Sequence, residues 1–187
     1  MEKGKKNAAK QGRTLALMDE SGFMLRPCVV RTWAQRGQTP ELKSWERRDR
    51  LSVISAITVS PVRAKLGLYF EIQRKNVNTD DVVRFMRALR RKTGRPVTFV
   101  LDGLPAHRSA IKRLAGYKGF DFVRFPGYAP ELNPDEWVWR HAKYVELRNT
   151  PSNDVQALQR NVRKALRHIA KRRDLLEGFF EGASLPL

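Results

Sequence analysis

The chain predicts an α/β fold, a mixed five-stranded sheet flanked by helices and followed by a C-terminal amphipathic helix. Three observations carry that expectation. Runs rich in β-branched and aromatic residues, such as 50–59 ("RLSVISAITV") and 97–101 ("VTFVL"), stand between turn signals and read as strands. From residue 78 onward such runs alternate with segments of helical period, and strand, helix, strand order calls for a right-handed parallel crossover. A hydrophobic fraction of 41%, with nine Phe and four Trp in 187 residues, supports a core of single-domain size.

Residues 1–12, basic and without an apolar pattern, read as a flexible lead. A strand over 14–18 then meets "DESG", whose Asp and Gly favour a turn, so a hairpin with a second strand over 23–30 is expected. The polar stretch from Arg31 to Arg50 reads as a long loop, and loops of that length in compact domains are usually functional or disordered. Strands over 50–59 and 65–72 follow. Asn78 is placed to cap the next helix, with Asp80 and Asp81 at its positive end, Val77 and Val82 as a staple, and Gly94 as its stop. A strand over 96–101, a helix over 105–115, a strand over 120–125 and a helix starting at Asn133 complete the expected domain. From Ser152 the stripe Val155, Leu158, Val162, Leu166 and Ile169 marks one amphipathic helix. If it continues to Arg173 it is about 33 Å long at 1.5 Å per residue. Residues 151–187 are thus a helical extension packed on the domain.

Lys and Arg number 37 against 19 Asp and Glu, a net charge of +18. That excess favours polyanionic partners, above all nucleic acid, because each neutralised phosphate releases a counterion. A single cysteine, Cys28, excludes an intramolecular disulfide and a Cys-based zinc site. No signal-type h-region and no run of eighteen apolar residues occurs, so a cytoplasmic protein with no membrane partner is expected. The absence of GxxxxGK[ST] argues against P-loop chemistry.

Three carboxylates stand at expected element ends: Asp19 after "TLALM", Asp102 after "VTFVL", and Glu136 at the start of the helix in "FPGYAPELNPDEWVW". Hard oxygen ligands so arranged suit a two-metal phosphoryl-transfer site. Each also has a plainer reading. Asp19 alone is a turn former, and Glu136 is equally the N3 residue of a cap begun by Asn133 and Pro134. Glu20, on the opposite face of the strand from Asp19, reads as a bystander. His107 either touches a scissile phosphate or caps and packs. Trp33 is either a stacking platform for nucleic acid or a lid over the sheet edge.

"LDGLPAHRS", "FPGYAPELNPDEWVW" and "MDESGF" with "RTWAQRGQTP" together resemble the DDE catalytic domain of bacterial insertion-sequence transposases of the mariner superfamily. The resemblance spans about residues 13–150. It departs from the family at Gly103, where Asn is more usual, and in lacking the N-terminal helix-turn-helix region. It implies a ribonuclease H-like fold and metal-dependent DNA strand cleavage and strand transfer, with Asp19, Asp102 and Glu136 as catalytic metal ligands and Asp135 as the fallback for the third. It further implies two Mg²⁺ or Mn²⁺ ions per site, double-stranded DNA as partner at element ends and target, a homodimer on DNA, and a nucleoid-associated protein whose helix-turn-helix is supplied elsewhere. Arg31, Trp33, Arg36, Lys43, His107, Arg108, Arg140 and Lys143 are the expected DNA contacts. The rival expectations are a decayed, non-catalytic nucleic-acid-binding module of the same fold and a general ribonuclease H-type nuclease.

Overall fold

The computed structural model describes residues 8–42, 49–62, 65–127 and 129–185. Five strands, β1 (Thr14–Met24), β2 (Arg50–Val59), β3 (Leu66–Gln73), β4 (Val97–Leu101) and β5 (Phe120–Arg124), form one sheet in the order β3-β2-β1-β4-β5. β1, β2 and β3 pair antiparallel, while β1, β4 and β5 pair parallel. On one face lie α1 (Thr79–Thr93) and α2 (Pro105–Leu114), packed on Ala16, Met18, Ile54, Phe99 and Leu101. The other face carries α3 (Pro134–His141), α4 (Val155–Lys171) and α5 (Arg173–Gly182), packed on Leu15, Leu17, Val53, Ile57 and Val100. The mixed, helix-flanked sheet expected from the sequence is present.

The expected hairpin is not. β1 runs unbroken through "DESG", paired with β2 from Leu15 opposite Val59 to Met24 opposite Arg50. Turn propensity at Asp19 and Gly22 yields because ten consecutive residues find ladder partners, and backbone hydrogen bonds forgone in a buried strand are costly. Residues 25–30 are not a strand. Instead the Asn149 side-chain amide accepts from Val30 N–H at 2.9 Å and donates to Val30 C=O at 2.9 Å, holding this segment like a strand partner.

α1 forms as its sequence directs. Asn78 Oδ1 accepts from Asp81 N–H (3.0 Å), Asp81 Oδ2 accepts from Asn78 N–H (3.2 Å), and Gly94 closes the helix at φ 64°, where a side chain would be strained. Asp81 is only 1% exposed and also receives Arg84 at 2.7 Å and Gln73 at 3.1 Å. Burial alone would raise its pKa, but these donors hold it down at about 2.

The C-terminal helix expected to continue to Arg173 is two helices. Asp154 caps α4 by accepting from Ala157 N–H, and the backbone turns extended at Arg172 (φ −98°, ψ 93°) before α5 begins. α5 then folds back onto α3. Phe179 lies 5.7 Å from the His141 ring, and Gly182 sits so close to the Trp137 indole that a Cβ there would meet it at 2.9 Å. Among the described residues no helix is long and apolar enough to cross a membrane.

Replacing Asp81 with Ala removes both a reciprocal cap and the acceptor of a buried ion pair, and is expected to cost about 1 to 3 kcal/mol at neutral pH. Because its folded pKa lies below the unfolded value of 3.8, that contribution is present above about pH 4 and disappears as the pH falls through about 2. Urea melts of both proteins at pH 7 check the loss.

Candidate active site

The centre of the sheet sets the first two acids side by side. β1 and β4 are parallel, with Leu17 beside Val100; continuing that register by two residues brings Asp19 beside Asp102, on strands about 4.8 Å apart. Asp102 follows the end of β4 as expected, but Asp19 lies within β1 rather than at its end. The cause is the same unbroken ladder that removed the hairpin.

Alternation along β1 then divides its acids between two faces. Asp19, Ser21 and Phe23 face α3 and the π-helical turn Ala142–Glu146 that follows it. Trp139 Nε1 donates to Asp19 Oδ2 at 3.2 Å, its ring meets Phe23 edge-on at 6.0 Å, and Lys143 Nζ donates to Ser21 Oγ at 2.7 Å. Ser55, opposite Asp19 on β2, donates to the Asp135 carboxylate at 2.7 and 2.8 Å. Asn133 Oδ1 caps α3 by accepting from Asp135 N–H, which leaves the Glu136 side chain exposed.

Crowding of these acids shows in their protonation. Burial first, and then repulsion from Glu136, push the Asp19 pKa up to about 7, against the bonds from Trp139 and the backbone. Complete burial, with the neighbouring charges of Asp19 and Glu136, raises the Asp135 pKa well above its ordinary value of 3.8 although Ser55 opposes it. Asp135 is 0% exposed and tied to Ser55, so it is positioned to shape the cluster rather than to meet an incoming molecule. Glu136 is the exposed member that acts on Asp19.

On the other face, Glu20 is no bystander. His107, at the start of α2, is 0% exposed and bridges two acids: Nδ1 lies 2.6 Å from Asp102 Oδ1 and Nε2 lies 2.7 Å from Glu20 Oε1. Leu104 N–H also donates to Asp102 Oδ1 at 2.9 Å. Both facing atoms are carboxylate oxygens, so both ring nitrogens serve as donors. Burial would lower the His107 pKa, but Glu20 and Asp102 outweigh it and the net shift is upward. Glu20 Oε2 is buried without a hydrogen-bond partner among the described residues. Strand alternation marks Glu20 as facing away from Asp19, but the chain's return through His107 on that face is not encoded in any local pattern.

The expected phosphate contacts divide likewise. Arg31, Trp33, Arg36, Arg108 and Arg140 are exposed. Trp33, at 99% exposure, is not a lid over the sheet edge. Arg140 stacks its guanidinium 5.3 Å from the Trp137 ring centroid. His107 is sealed inside, a correction to its expected DNA contact, because two carboxylates outcompete solvent for its nitrogens. Lys143 is half-buried, held on Ser21 and over Phe23. Lys43 lies outside the described residues.

Asp19, Asp102 and Glu136 offer the hard oxygen donors that Mg²⁺ or Mn²⁺ takes. Among the described residues no three such side chains already close on a common point. Burial and then the charges of Glu136 and Glu20 raise the Asp19 pKa; the two neighbouring acids are negative charge that a cation would relieve, and the residues fit a divalent ion.

Comparison with known proteins accords with this geometry. Residues 14–159 match the family described as DDE superfamily endonuclease. No curated protein sequence matches the chain. Among solved structures, the Mos1 transposase paired-end complex with left transposon end aligns with 99% of this chain and 56% of its own at TM-score 0.65 and 18% identity. The Mos1 strand transfer complex aligns over 98% and 54% at 0.64 and 18%. The Mos1 mariner paired-end complex with Mn covers 92% and 52% at 0.62, again at 18% identity. The sheet and its helices are therefore ribonuclease H-like, and the chain spans a little over half the length of the proteins it matches.

Asp19→Asn should remove the repulsion without changing shape. A carboxyl at about 7 when folded and near 3.8 when unfolded takes up a proton on folding between those values, so its ionisation destabilises the metal-free fold progressively as the pH rises through 7. The melting temperature of the variant is expected to match wild type near pH 4 and to exceed it by pH 8 in the presence of EDTA, as differential scanning fluorimetry across that range would read.

Proposed function

We propose that this chain, which belongs to the DDE superfamily endonuclease family, is the catalytic domain of a DNA transposase that cleaves DNA strands and transfers the freed 3′ end to target DNA. The observation that carries the reading is the juxtaposition at the sheet centre: Asp19 beside Asp102 in register, with burial first and the charge of Glu136 second raising the Asp19 pKa to about 7.

Asp19, Asp102 and Glu136 would hold two Mg²⁺ or Mn²⁺ ions, which when bound supply charge stabilisation for the attacking and leaving oxygens of an in-line phosphoryl displacement. The protein's own part is positional. Trp139 fixes one oxygen of Asp19, and α3 presents Glu136 from a capped, Pro-started first turn. The exposed guanidiniums of Arg108, in the first turn of α2, and Arg140, one turn beyond Glu136, are available to non-bridging phosphate oxygens and would hold the scissile group against the acids. In the cleavage step water attacks the scissile phosphorus and the P–O3′ bond breaks, leaving a 5′-phosphate and a 3′-hydroxyl; in the transfer step that 3′-hydroxyl attacks a target phosphorus, joining the strands, and the target's own 3′ oxygen leaves as a hydroxyl.

Double-stranded DNA is the substrate this reading requires, and the net charge of +18 suits it. The exposed segment with Arg31, Trp33 and Arg36 would follow the backbone, with Trp33 free to stack on an unpaired base. These are phosphate and stacking contacts, which position a duplex without reading its sequence. Element ends would then be selected through a helix-turn-helix region beyond these residues, the complex on DNA would be a homodimer, and the protein would reside in the cytoplasm with the nucleoid.

Strand cleavage of a supercoiled or end-bearing duplex is expected to require Mg²⁺ or Mn²⁺ and to fall at least about a hundredfold in Asp19→Ala, Asp102→Ala or Glu136→Ala, with the fold retained by circular dichroism. Wild type no more active than Asp102→Ala in a clean preparation would leave a binding module in place of an enzyme. Duplex affinity, measured by fluorescence anisotropy over a salt series, should drop linearly in log–log form and differ little between true ends and scrambled duplexes. End preference that survives high salt would mean that this chain reads bases itself.

A further inference from the structure

Asp102 is held by Leu104 N–H and by a chain running through His107 to Glu20, groups that the proposed chemistry does not use. Its Oδ1 accepts from Leu104 N–H and from His107 Nδ1, and His107 Nε2 donates in turn to Glu20 Oε1. His107 is wholly enclosed, so no other molecule competes for its nitrogens. The chain starts and ends on neighbouring strands: Glu20 follows Asp19 on β1, and Asp102 follows β4, beside which Asp19 lies in register. The imidazole is thus a clamp between the two strands that carry the first two acids.

Geometry points to a positioning role: His107, anchored by Glu20, fixes the rotamer of Asp102 so that one carboxylate oxygen is held by the protein and the other is left for a divalent cation. This role rests on the metal-site reading proposed for Asp19, Asp102 and Glu136. A carboxylate not held in this way loses rotamer freedom only when the cation arrives, and that ordering cost weakens its affinity. With Oδ1 fixed beforehand, the cost falls on folding instead. Neither Glu20 nor His107 is a catalytic residue, since neither touches the reacting atoms.

The two ring nitrogens allow the role to be separated from simple packing. Asn at position 107 places an amide donor near the site of Nδ1, where it can still serve Asp102; Gln places its amide near the site of Nε2, where it can serve only Glu20. Each loses the ring and half of the bridge. Mn²⁺ affinity of the metal-free full chain should be measured by titration calorimetry for wild type, His107→Asn, His107→Gln and Glu20→Ala, with melting temperatures for all four. The expected result is a loss of about tenfold to a hundredfold in Mn²⁺ affinity for His107→Gln, substantial recovery in His107→Asn, and an intermediate loss in Glu20→Ala. Equal affinity in the Asn and Gln variants, whether both are as tight as wild type or both equally weak, would overturn the positioning role while leaving the metal site intact. Wild type that failed to bind Mn²⁺ would overturn the metal-site reading and this inference together. If His107→Gln unfolds, unchanged affinity in Glu20→Ala is the result that overturns the clamp.

Discussion

β1 must satisfy two neighbours of opposite direction, and the architecture of the site derives from that demand. On one side it pairs antiparallel with β2 along nearly its whole length; on the other it pairs parallel with β4 only over Thr14 to Leu17. The parallel ladder stops where the acids begin. Beyond it the backbones of β1 and β4 are no longer bonded to each other, and side chains occupy the opening: Asp19 on one face, Glu20 on the other, Asp102 between. The crevice past the carboxyl end of a parallel pair is the usual place for ligands in open α/β sheets, because side chains there are unobstructed by a further ladder. Here the antiparallel partner keeps β1 rigid through that crevice, so a strand that would otherwise fray carries the acid firmly.

The opening becomes a site of concentrated negative charge in a strongly basic protein. Asp19, Glu20, Asp135 and Glu136 lie within interacting range, and the protein offsets them locally with few cations: His107 on one face and, two residues along β1 from Asp19, the ammonium of Lys143 on Ser21. The many Arg and Lys residues are spread over helix exteriors and the exposed loop instead. Such a division keeps the positive charge on the outside apart from the negative charge of the interior.

Sequence patterns conveyed the elements well where local chemistry decides them. Asn78, Asp81 and Gly94 fixed both ends of α1 because caps are made by the residues at the ends themselves. Asp102 at the close of β4 and Glu136 in the first turn of α3 were legible for the same reason, with their family motifs beside them. Legibility failed where a distant partner decides. "DESG" carries turn chemistry, yet β2 supplies the ladder that keeps it extended. Glu20 gave no sign of its importance, because its partner His107 is brought to it by the crossover through α1 and β4. The break at Arg172 also escaped, since the preceding amphipathic stripe does not say where the backbone turns back.

That return of the chain links the last helix to the acid at the head of α3. α5 lies against Trp137 and His141, and the Gly182–Trp137 approach leaves no room for any side chain larger than hydrogen at that point. The helix that carries Glu136 is therefore packed partly against a helix made after it. During synthesis on the ribosome the carboxylate emerges ahead of α5, and the packing around α3 is complete only once α5 has docked. A nascent chain halted before that point would carry every acid of the cluster and still lack the helix against which α3 packs.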